Sequence, residues 1–396
     1  MLKLDRFFSD ILVFNLLLLS GTVFHVGFFT LSYIFAISST FLFLLYKSKY
    51  RSKEIVLFFY TFSLSIFFFI FNYFFSKSLE FKDYGIVLMQ VFLTLLILLV
   101  LRNSQIDFKY HLYRVLKFLV LLSLIGFLLS FFNLGKRVEF GASGYAANTV
   151  FHIFYYYANA QLGFLNFFRN QGIFWEPGLL AIYANIFLYL ALFYFEERKA
   201  VVLAIICILT TLSTTGIFIM SIQLAYLIIG KKFNILQKVL VSVILVPIVV
   251  VAFLSFTGKK DESLEYNVSS YGLRTFDLYS GTMIAINNPI FGVGLNKEAF
   301  LSERDKFIPA EIEIIYDQIE ERGSSNSLLM LFCSLGLVCG TLWLYMLFRQ
   351  NVFTTNNRIF FVIVVLGFIS EPLVFTPFFM FLTFTGVQKK IKIVYG

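Results

Sequence analysis

The chain has 396 residues, of which 59% are hydrophobic and only 14% are charged, and its formal net charge is +9. Soluble globular domains are about 45–50% apolar and about 25% charged. The composition therefore excludes a cytosolic enzyme, a secreted disulfide scaffold and a disordered chain, and it indicates an integral membrane protein. The positive net charge does not indicate nucleic-acid binding, because membrane proteins collect Lys and Arg in their cytoplasmic loops.

Apolar segments that could cross a bilayer follow one another along the chain. A transmembrane helix needs about 20 mostly apolar residues. Six segments meet this requirement as single spans: 55–75, 84–101, 115–132, 177–195, 239–256 and 327–348. Three longer segments contain polar, Gly or Pro breaks near their middle, and each is predicted to form a pair of helices: 9–46, 200–230 and 359–387.

The distribution of Lys and Arg sets the predicted topology. If the N-terminus is cytoplasmic and each long segment counts as two passes, most Lys and Arg fall in cytoplasmic segments, including Lys231-Lys232 and the tail around Lys389. We therefore predict an all-α fold, a polytopic transmembrane helical bundle of about twelve passes with both termini cytoplasmic. Residues 1–396 form a single integral membrane domain in this prediction. For 200–230 and 359–387, a re-entrant pair of helices is an open alternative with the same topology.

Two long loops, residues 133–176 and 257–325, are predicted to face outward and to be partly helical. In the second loop, Ser269 to Asn287 is typical of a helix that Asn288-Pro289 ends. Long loops with structure of their own are usually functional. The sequence therefore places the chemistry on the outer face of the membrane.

The first candidate motif runs from Arg169 to Gly178 and precedes the helix predicted to start at Pro177. Glu176 occupies the capping position, and Pro suits the first helical residue. A helix N-terminus carries partial positive charge and unpaired N–H groups, so an adjacent Arg indicates an anion site suited to phosphate. The alternative is an Arg that snorkels to lipid headgroups beside Trp175, an interfacial aromatic residue.

Further candidates lie in the second long loop and beyond it. Arg274 and Asp277 share a helix face, and the glycines of residues 287–294 (NNPIFGVG) allow a close backbone approach. Ser325 and Asn326 precede a predicted span, where the ordinary interpretation is an N-cap. Glu371 is an acid well inside an apolar segment, which marks a functional candidate, although at a hairpin tip it could simply reach water.

Taken together, these segments resemble the superfamily of bacterial O-antigen polymerases and O-antigen ligases. The resemblance covers about residues 165–350 and rests on the order of its motifs: an Arg before GIFWEPG, Thr211 to Gly216 as a T-x-S-x-x-G break, a second Arg before NPIFGVG, and SNSLL entering a helix. It implies glycosyl transfer on the outer face of the bacterial cytoplasmic (inner) membrane. The implied donor and acceptor are glycans on undecaprenyl diphosphate within the lipid bilayer, with a chain-length regulator and a flippase as further partners.

The resemblance also implies roles for the candidate residues. We predict that Arg169 and Arg274 stabilise the diphosphate leaving group without a metal ion or other cofactor. Glu176 is the first candidate for the general base, and Glu371 or Asp277 the next. Predicted substrate-binding residues are Trp175, Asp277, Ser325, Asn326 and Glu371.

One departure from the ligase pattern favours a polymerase. Ligases of the superfamily carry a His, then Asn, Ser or Gln, then nine residues and a Gly. Here Asn326 and Gly336 keep that spacing, but Ser325 stands where the His would be. The prediction is therefore a polysaccharide polymerase, for O-antigen, capsule or exopolysaccharide. The alternatives are a ligase-type transferase and a polysaccharide flippase or transporter.

Overall fold

The computed structural model describes residues 3–47, 50–77, 80–104, 106–132, 135–140, 145–150, 154–162, 165–230, 270–307 and 326–387. Its helices, in chain order, are Lys3–Leu18 (α1), Val23–Gly27 (α2), Phe29–Tyr46 (α3), Ser52–Phe75 (α4), Lys82–Asn103 (α5), Phe108–Ser130 (α6), Pro177–Phe193 (α7), Arg198–Thr210 (α8), Thr214–Gly230 (α9), Ser270–Asn287 (α10), Lys297–Asp305 (α11), Ser327–Phe348 (α12), Asn357–Ser370 (α13) and Pro377–Val387 (α14). The predicted span 239–256 lies outside the described residues.

The longer helices are the candidate membrane spans. Among the described residues, five helices are long and apolar enough to cross a membrane: α3, α4, α5, α6 and α12. Shorter apolar helices accompany them: α7, α9, α13 and α14. The predicted helical, polytopic membrane fold is confirmed.

All three long apolar segments form helix pairs. Segment 9–46 is α1 and α3, with a turn that contains Gly21 at φ 106°. Segment 200–230 is α8 and α9, separated at Leu212, whose φ is 49°. Segment 359–387 is α13 and α14. Helix α13 ends at Ser370, and the next residue, Glu371, is in extended conformation. The predicted breaks are therefore the turns of helix pairs.

The first long loop corrects one expectation, because it is not partly helical. Its described residues form an antiparallel four-stranded sheet in sequential order: Lys136–Phe140 (β1), Tyr145–Thr149 (β2), Tyr156–Leu162 (β3) and Leu165–Gly172 (β4). Short segments that follow one another closely along the chain suit strands that pair with their neighbours in sequence. The second long loop is partly helical as predicted, with α10 and α11. Its stretch after Pro309 lies outside the described residues.

Helix α7 is the centre of the bundle. Nearly every side chain from Leu179 to Leu192 is buried, as expected of a helix that is apolar all round. It packs against α6, α8, α9, α13 and β4. Because α7 is enclosed on all sides, the elements that meet at its N-terminus are held by the bundle core.

Ion pairs collect at the end of the bundle where α7 finishes. Glu197, just after α7, pairs with Lys117 at 2.6 Å. Other pairs join residues near the predicted cytoplasmic ends of α1, α3, α4, α5 and α6: Asp5–Lys47 at 3.1 Å, Asp10–Arg114 at 3.3 Å and Glu54–Arg102 at 3.1 Å. Four of the cations that set the predicted topology, Lys47, Arg102, Arg114 and Lys117, therefore have local acidic partners. Orientation itself stays a prediction, with this end cytoplasmic.

Cysteine labelling tests that orientation. Lys136 in β1 and Lys297 in α11 are exposed, as is Lys53 near the start of α4. Single cysteines at 136 and 297 should react with a membrane-impermeant thiol reagent in intact cells, whereas one at 53 should react only after permeabilisation. The background needs Cys339→Ala, because Cys339 is the half-buried native cysteine. Labelling at 53 from outside would contradict the predicted topology.

Candidate active site

The segment that leads into α7 is anchored to the turn after α1. The backbone N–H of Trp175 donates to the carbonyl of Gly21 at 3.1 Å, and that of Val23 donates to the carbonyl of Ile173 at 2.9 Å. These contacts fix the path of the chain between β4 and the start of α7. The first motif is therefore a rigid connection on the predicted outer side.

Arg169 reaches from β4 to the end of α8. Its Nε donates to the carbonyl of Thr211 at 3.1 Å, and neighbouring Asn170 donates through Nδ2 to Oγ1 of Thr210 at 3.0 Å. Carbonyls at a helix C-terminus carry partial negative charge, so this contact orients a half-buried guanidinium. The snorkelling interpretation is less suitable, because Arg169 is tied to a helix end beside the α8–α9 turn.

Glu176 is the N-cap residue of α7, with φ −139° and ψ 149°, but its side chain makes no capping hydrogen bond. It is exposed, and Pro177 follows at the first helical position. The capping position is therefore confirmed. The general-base role of Glu176 stays a prediction.

Glu371 occupies the space beside the first turn of α7. It is only 6% exposed, so the interpretation that it simply reaches water is wrong. A Cβ added at Gly178 would overlap Oε1 of Glu371, which shows that the carboxylate lies directly against this glycine. The positive end of a helix attracts negative charge. Gly178 thus admits a buried carboxylate to the N-terminus of α7.

The start of α12 meets the same region. Oγ of Ser327 donates to the carbonyl of Glu371 at 2.7 Å, and it accepts from the N–H of Leu373 at 3.1 Å. Asn326 is the N-cap of α12, and its Oδ1 accepts from the N–H of Leu329 at 3.1 Å. The N-cap interpretation of Asn326 is confirmed. Two helix N-termini, those of α7 and α12, therefore converge around Glu371.

A third helix start, that of α9, packs on α7 nearby. Oγ of Ser213 accepts from the N–H of Gly216 at 3.2 Å, and a Cβ added at Gly216 would overlap that of Ala181 in α7. Nδ2 of buried Asn185 donates to the carbonyl of Gly216 at 3.0 Å, and Nε2 of Gln223 donates to Oδ1 of Asn185 at 2.9 Å. The T-x-S-x-x-G break is thus the turn that brings α9 back along α7.

The NPIFGVG motif inserts into a break in α12. This helix is interrupted at Gly336, which has φ 79° and ψ 167°. The N–H of Val293 donates to the carbonyl of Cys333 at 2.7 Å, and the N–H of Leu337 donates to the carbonyl of Pro289 at 2.7 Å. The loop therefore supplies backbone hydrogen bonds that the broken helix cannot make within itself.

Two glycines permit this insertion, and replacing either of them should strongly destabilise the protein. A Cβ at Gly292 would lie 2.6 Å from the carbonyl carbon of Ser334, and one at Gly336 would lie 2.8 Å from the carbonyl oxygen of Pro289. Both residues have positive φ. Gly292→Ala and Gly336→Ala should each cost about 2 kcal/mol or more in the free energy of unfolding. Thermal unfolding of the purified protein measures this loss.

Gly85→Ala in α5 is the matched control for the two glycines. Nothing lies within 4 Å of a Cβ added there. Because Ala is favoured over Gly in a helix by about 0.5–1 kcal/mol, the control variant should be as stable as the wild type or more stable. Equal stability of the three Ala variants would contradict the close approach of the two backbones.

Arg274 and Asp277 lie on α10, which packs on the outer part of α12. Gly281 faces Leu329, and Sγ of Cys333 donates to the carbonyl of Gly281 at 3.2 Å. Residue 274 is two helical turns earlier, about 10 Å along the axis. Its backbone therefore lies towards the end of the bundle where α12 begins. The side chain of Arg274 lies outside the described part, so the roles predicted for Arg274 and for half-buried Asp277 stay predictions.

Trp175 packs against the sheet and against the main core of the bundle. It contacts the cluster of Val23, Ala147 and Tyr156, which joins α2 to β2 and β3. Its predicted substrate-binding role stays untested. Ser325 lies outside the described residues. Three residues lie in the motifs but received no role from the sequence: Gly178 and Ser327, which contact Glu371, and Thr211, whose carbonyl accepts from Arg169.

The comparison with protein families bears on this arrangement. A family model described as O-antigen ligase matches residues 200–344. This match supports membership of the superfamily of O-antigen polymerases and ligases. The match contains the α8–α9 turn, α10, the NPIFGVG motif and the start of α12, and it ends before Glu371. No curated protein and no solved structure matches the chain significantly.

The match confirms the resemblance seen in the sequence, which covers much the same region. Together with the membrane-spanning helices, it supports a multi-pass membrane enzyme of the O-antigen polymerase and ligase type. Arg169 and Glu176 precede the matched region. In the structure they are joined to it by the hydrogen bond from Arg169 to the carbonyl of Thr211 and by the packing of α7 on α8 and α9.

Proposed function

We propose that the protein is a polysaccharide polymerase. It transfers a glycan from undecaprenyl diphosphate to the acceptor repeat unit on the outer face of the bacterial inner membrane. The observation that carries this proposal is the convergence at one end of α7. Buried Glu371, the starts of α7 and α12, and the Arg169-bearing strand all meet there.

The reaction needs stabilisation of a leaving group and removal of one proton. An acceptor hydroxyl oxygen attacks the anomeric carbon, and the bond from that carbon to the phosphate oxygen breaks. The bonding electron pair leaves on the lipid diphosphate, where charge develops. Fixed positive charge suits this task, and guanidinium groups bind phosphate oxygens through paired hydrogen bonds. In this proposal Arg169 and Arg274 hold the diphosphate beside the helix N-termini.

Glu371 is the better candidate for the group that receives the hydroxyl proton. It is buried beside the first turn of α7, whereas Glu176 is exposed. General-base catalysis by a positioned carboxylate contributes about 10²–10⁴-fold in rate. The proton moves from the attacking hydroxyl to a carboxylate oxygen of Glu371 as the new glycosidic bond forms.

A ligase-type transferase is the second candidate function, because the matched family is described as O-antigen ligase. The polymerase proposal is preferred because Ser325 stands at the position of the ligase His, which removes the usual base. Glu371, whose backbone is held by Ser327, supplies a different one. Proposed further partners are a chain-length regulator and a flippase of the same synthetic system.

A deletion strain separates the candidate functions. Loss of long chains with retention of single-repeat material is the expected result for a polymerase. Retention of polymer on the lipid carrier, without transfer to its final acceptor, would establish the ligase. Loss of all surface glycan, with lipid-linked repeats accumulating on the cytoplasmic side, would establish a flippase and overturn the proposal.

A further inference from the structure

Polar side chains at one end of the α4–α5 hairpin bind the second long loop. This hairpin lies in the N-terminal half of the chain, outside residues 200–344, which the family model matches. Much of α4 is otherwise exposed and aromatic, as expected of a lipid-facing helix: Phe59, Phe67, Phe71 and Phe74 are examples. The polar residues near its end therefore need a separate explanation.

Asn72 and Tyr84 form the centre of this contact. Nδ2 of Asn72 donates to the carbonyl of Phe291 at 2.7 Å, and the hydroxyl of Tyr84 donates to Oδ1 of Asn72 at 2.7 Å. The N–H of Leu295 donates to the same Tyr84 hydroxyl at 3.2 Å. Asn72 is 2% exposed and Tyr84 is 0% exposed. Two buried side chains thus hold both ends of the turn that follows NPI.

Charged and capping groups extend the contact to α11. Nζ of Lys77 and of Lys306 donate to Oε1 of Glu303 at 2.9 and 2.6 Å. Burial would raise the pKa of Glu303, but the hydrogen bonds and charges of Lys306 and Lys77 together lower it. Nδ2 of Asn296, the N-cap of α11, donates to Oδ2 of Asp83 at 3.2 Å.

These contacts fix the turn in one register. The ring of Phe291 packs against Phe71 and Phe75, and apolar contacts of this kind would allow the turn to slide along α4. A buried polar group that loses its hydrogen-bond partner, in contrast, costs free energy. The same turn is inserted into the break of α12 at Gly336, and α10 precedes it. The hairpin therefore sets the position of α10, and with it the backbone of Arg274, relative to Asn326.

We propose that Asn72 and Tyr84 are positioning residues for glycosyl transfer, acting through the turn 288–295 on α10. The inference rests on the proposed role of Arg274. It assigns a part in the reaction to a hairpin that carries none of the superfamily motifs. A displacement of about 1 Å in a reacting group can cost about 10²-fold in rate, so a contact remote from the substrate can still control it.

Steady-state kinetics of the purified, reconstituted full chain test the inference. Tyr84→Phe removes only the hydroxyl, and we expect a fall in kcat of about 10-fold or more with KM for the lipid-linked donor little changed. In an Arg274→Lys background the same substitution should lower kcat much less, because both changes affect the contact of residue 274 with the donor. Thr61→Val in α4 is the control, since the hydroxyl of this buried Thr donates to the carbonyl of Leu57 in its own helix. It should leave kcat unchanged.

A distance measurement separates positioning from the proposed catalytic role. Nitroxides at exposed Lys82 and Tyr279, in a Cys339→Ala background, should give a narrow distance distribution that Tyr84→Phe broadens or shifts. Wild-type kcat in Tyr84→Phe, full additivity with Arg274→Lys, or an unchanged distribution would overturn the positioning inference. Wild-type activity of Arg274→Ala alone would instead overturn the proposed role of Arg274, whatever the distances show.

Discussion

Replacing either arginine should abolish long-chain polymer while the protein still inserts into the membrane. Arg169→Ala and Arg274→Ala each remove donors from the charge that develops on the diphosphate, which typically costs about 10²–10³-fold in rate. Arg→Lys at either position should restore activity only in part, because Lys offers a point charge and not two parallel hydrogen bonds. Gel analysis of polymer length, with protein level measured by immunoblot, gives the result.

Arg137→Ala is the matched control for Arg169, because Arg137 belongs to the same sheet. Its side chain is 71% exposed, and its Nε lies 3.6 Å from the carboxylate of Glu139. Exposed pairs contribute about 0–1 kcal/mol, so this variant should polymerise normally. Arg169 also holds the end of α8, so a loss of folded protein in its Ala variant would reflect that contact. Normal polymer from both Lys variants would falsify the shared diphosphate site.

Hydropathy and charge anticipated the helical framework because each signal is local. A run of apolar residues is enough to identify a span, and the predicted breaks near Gly21, Ser213 and Glu371 coincide with turns of helix pairs. The sheet in the first long loop was not predicted, although part of its signal is also local. Its strands are short, and a Gly-containing pair, residues 163 and 164, separates β3 from β4 in a pattern that was available in the sequence.

From the sequence, a site residue could be predicted only where its residue type is unusual for its surroundings. Glu371 was conspicuous because an acid inside an apolar segment is unusual. Its neighbours were not, because Gly178 and Ser327 are ordinary residues until the fold brings them together. The two glycines of the α12 break show the same limit. Their positive φ is typical of glycine, but which backbone approaches them depends on long-range packing.

The carboxylate of Glu371 should be essential, whereas that of Glu176 should not. Glu371→Gln keeps the shape and removes the charge, and we expect kcat to fall by about 10²–10⁴-fold. Glu176→Gln should stay close to wild type, because Glu176 is exposed and its side chain does not cap α7. The pH–rate profile distinguishes a base from a structural carboxylate, since loss of the base removes the acidic limb of kcat/KM for whatever activity is left.

Gly178→Ala tests the geometry that makes Glu371 the candidate. The added Cβ would occupy the position of Oε1, so the carboxylate has to move away from the start of α7. Ala is also favoured over Gly in a helix by about 0.5–1 kcal/mol, so this variant should fold as well as the wild type unless the displaced Glu371 disturbs its surroundings. We therefore expect a stable protein with strongly reduced kcat. If Gly178→Ala and Glu371→Gln polymerise normally while Glu176→Gln does not, the base is Glu176, and the buried carboxylate serves only to join α13 to the N-terminus of α7.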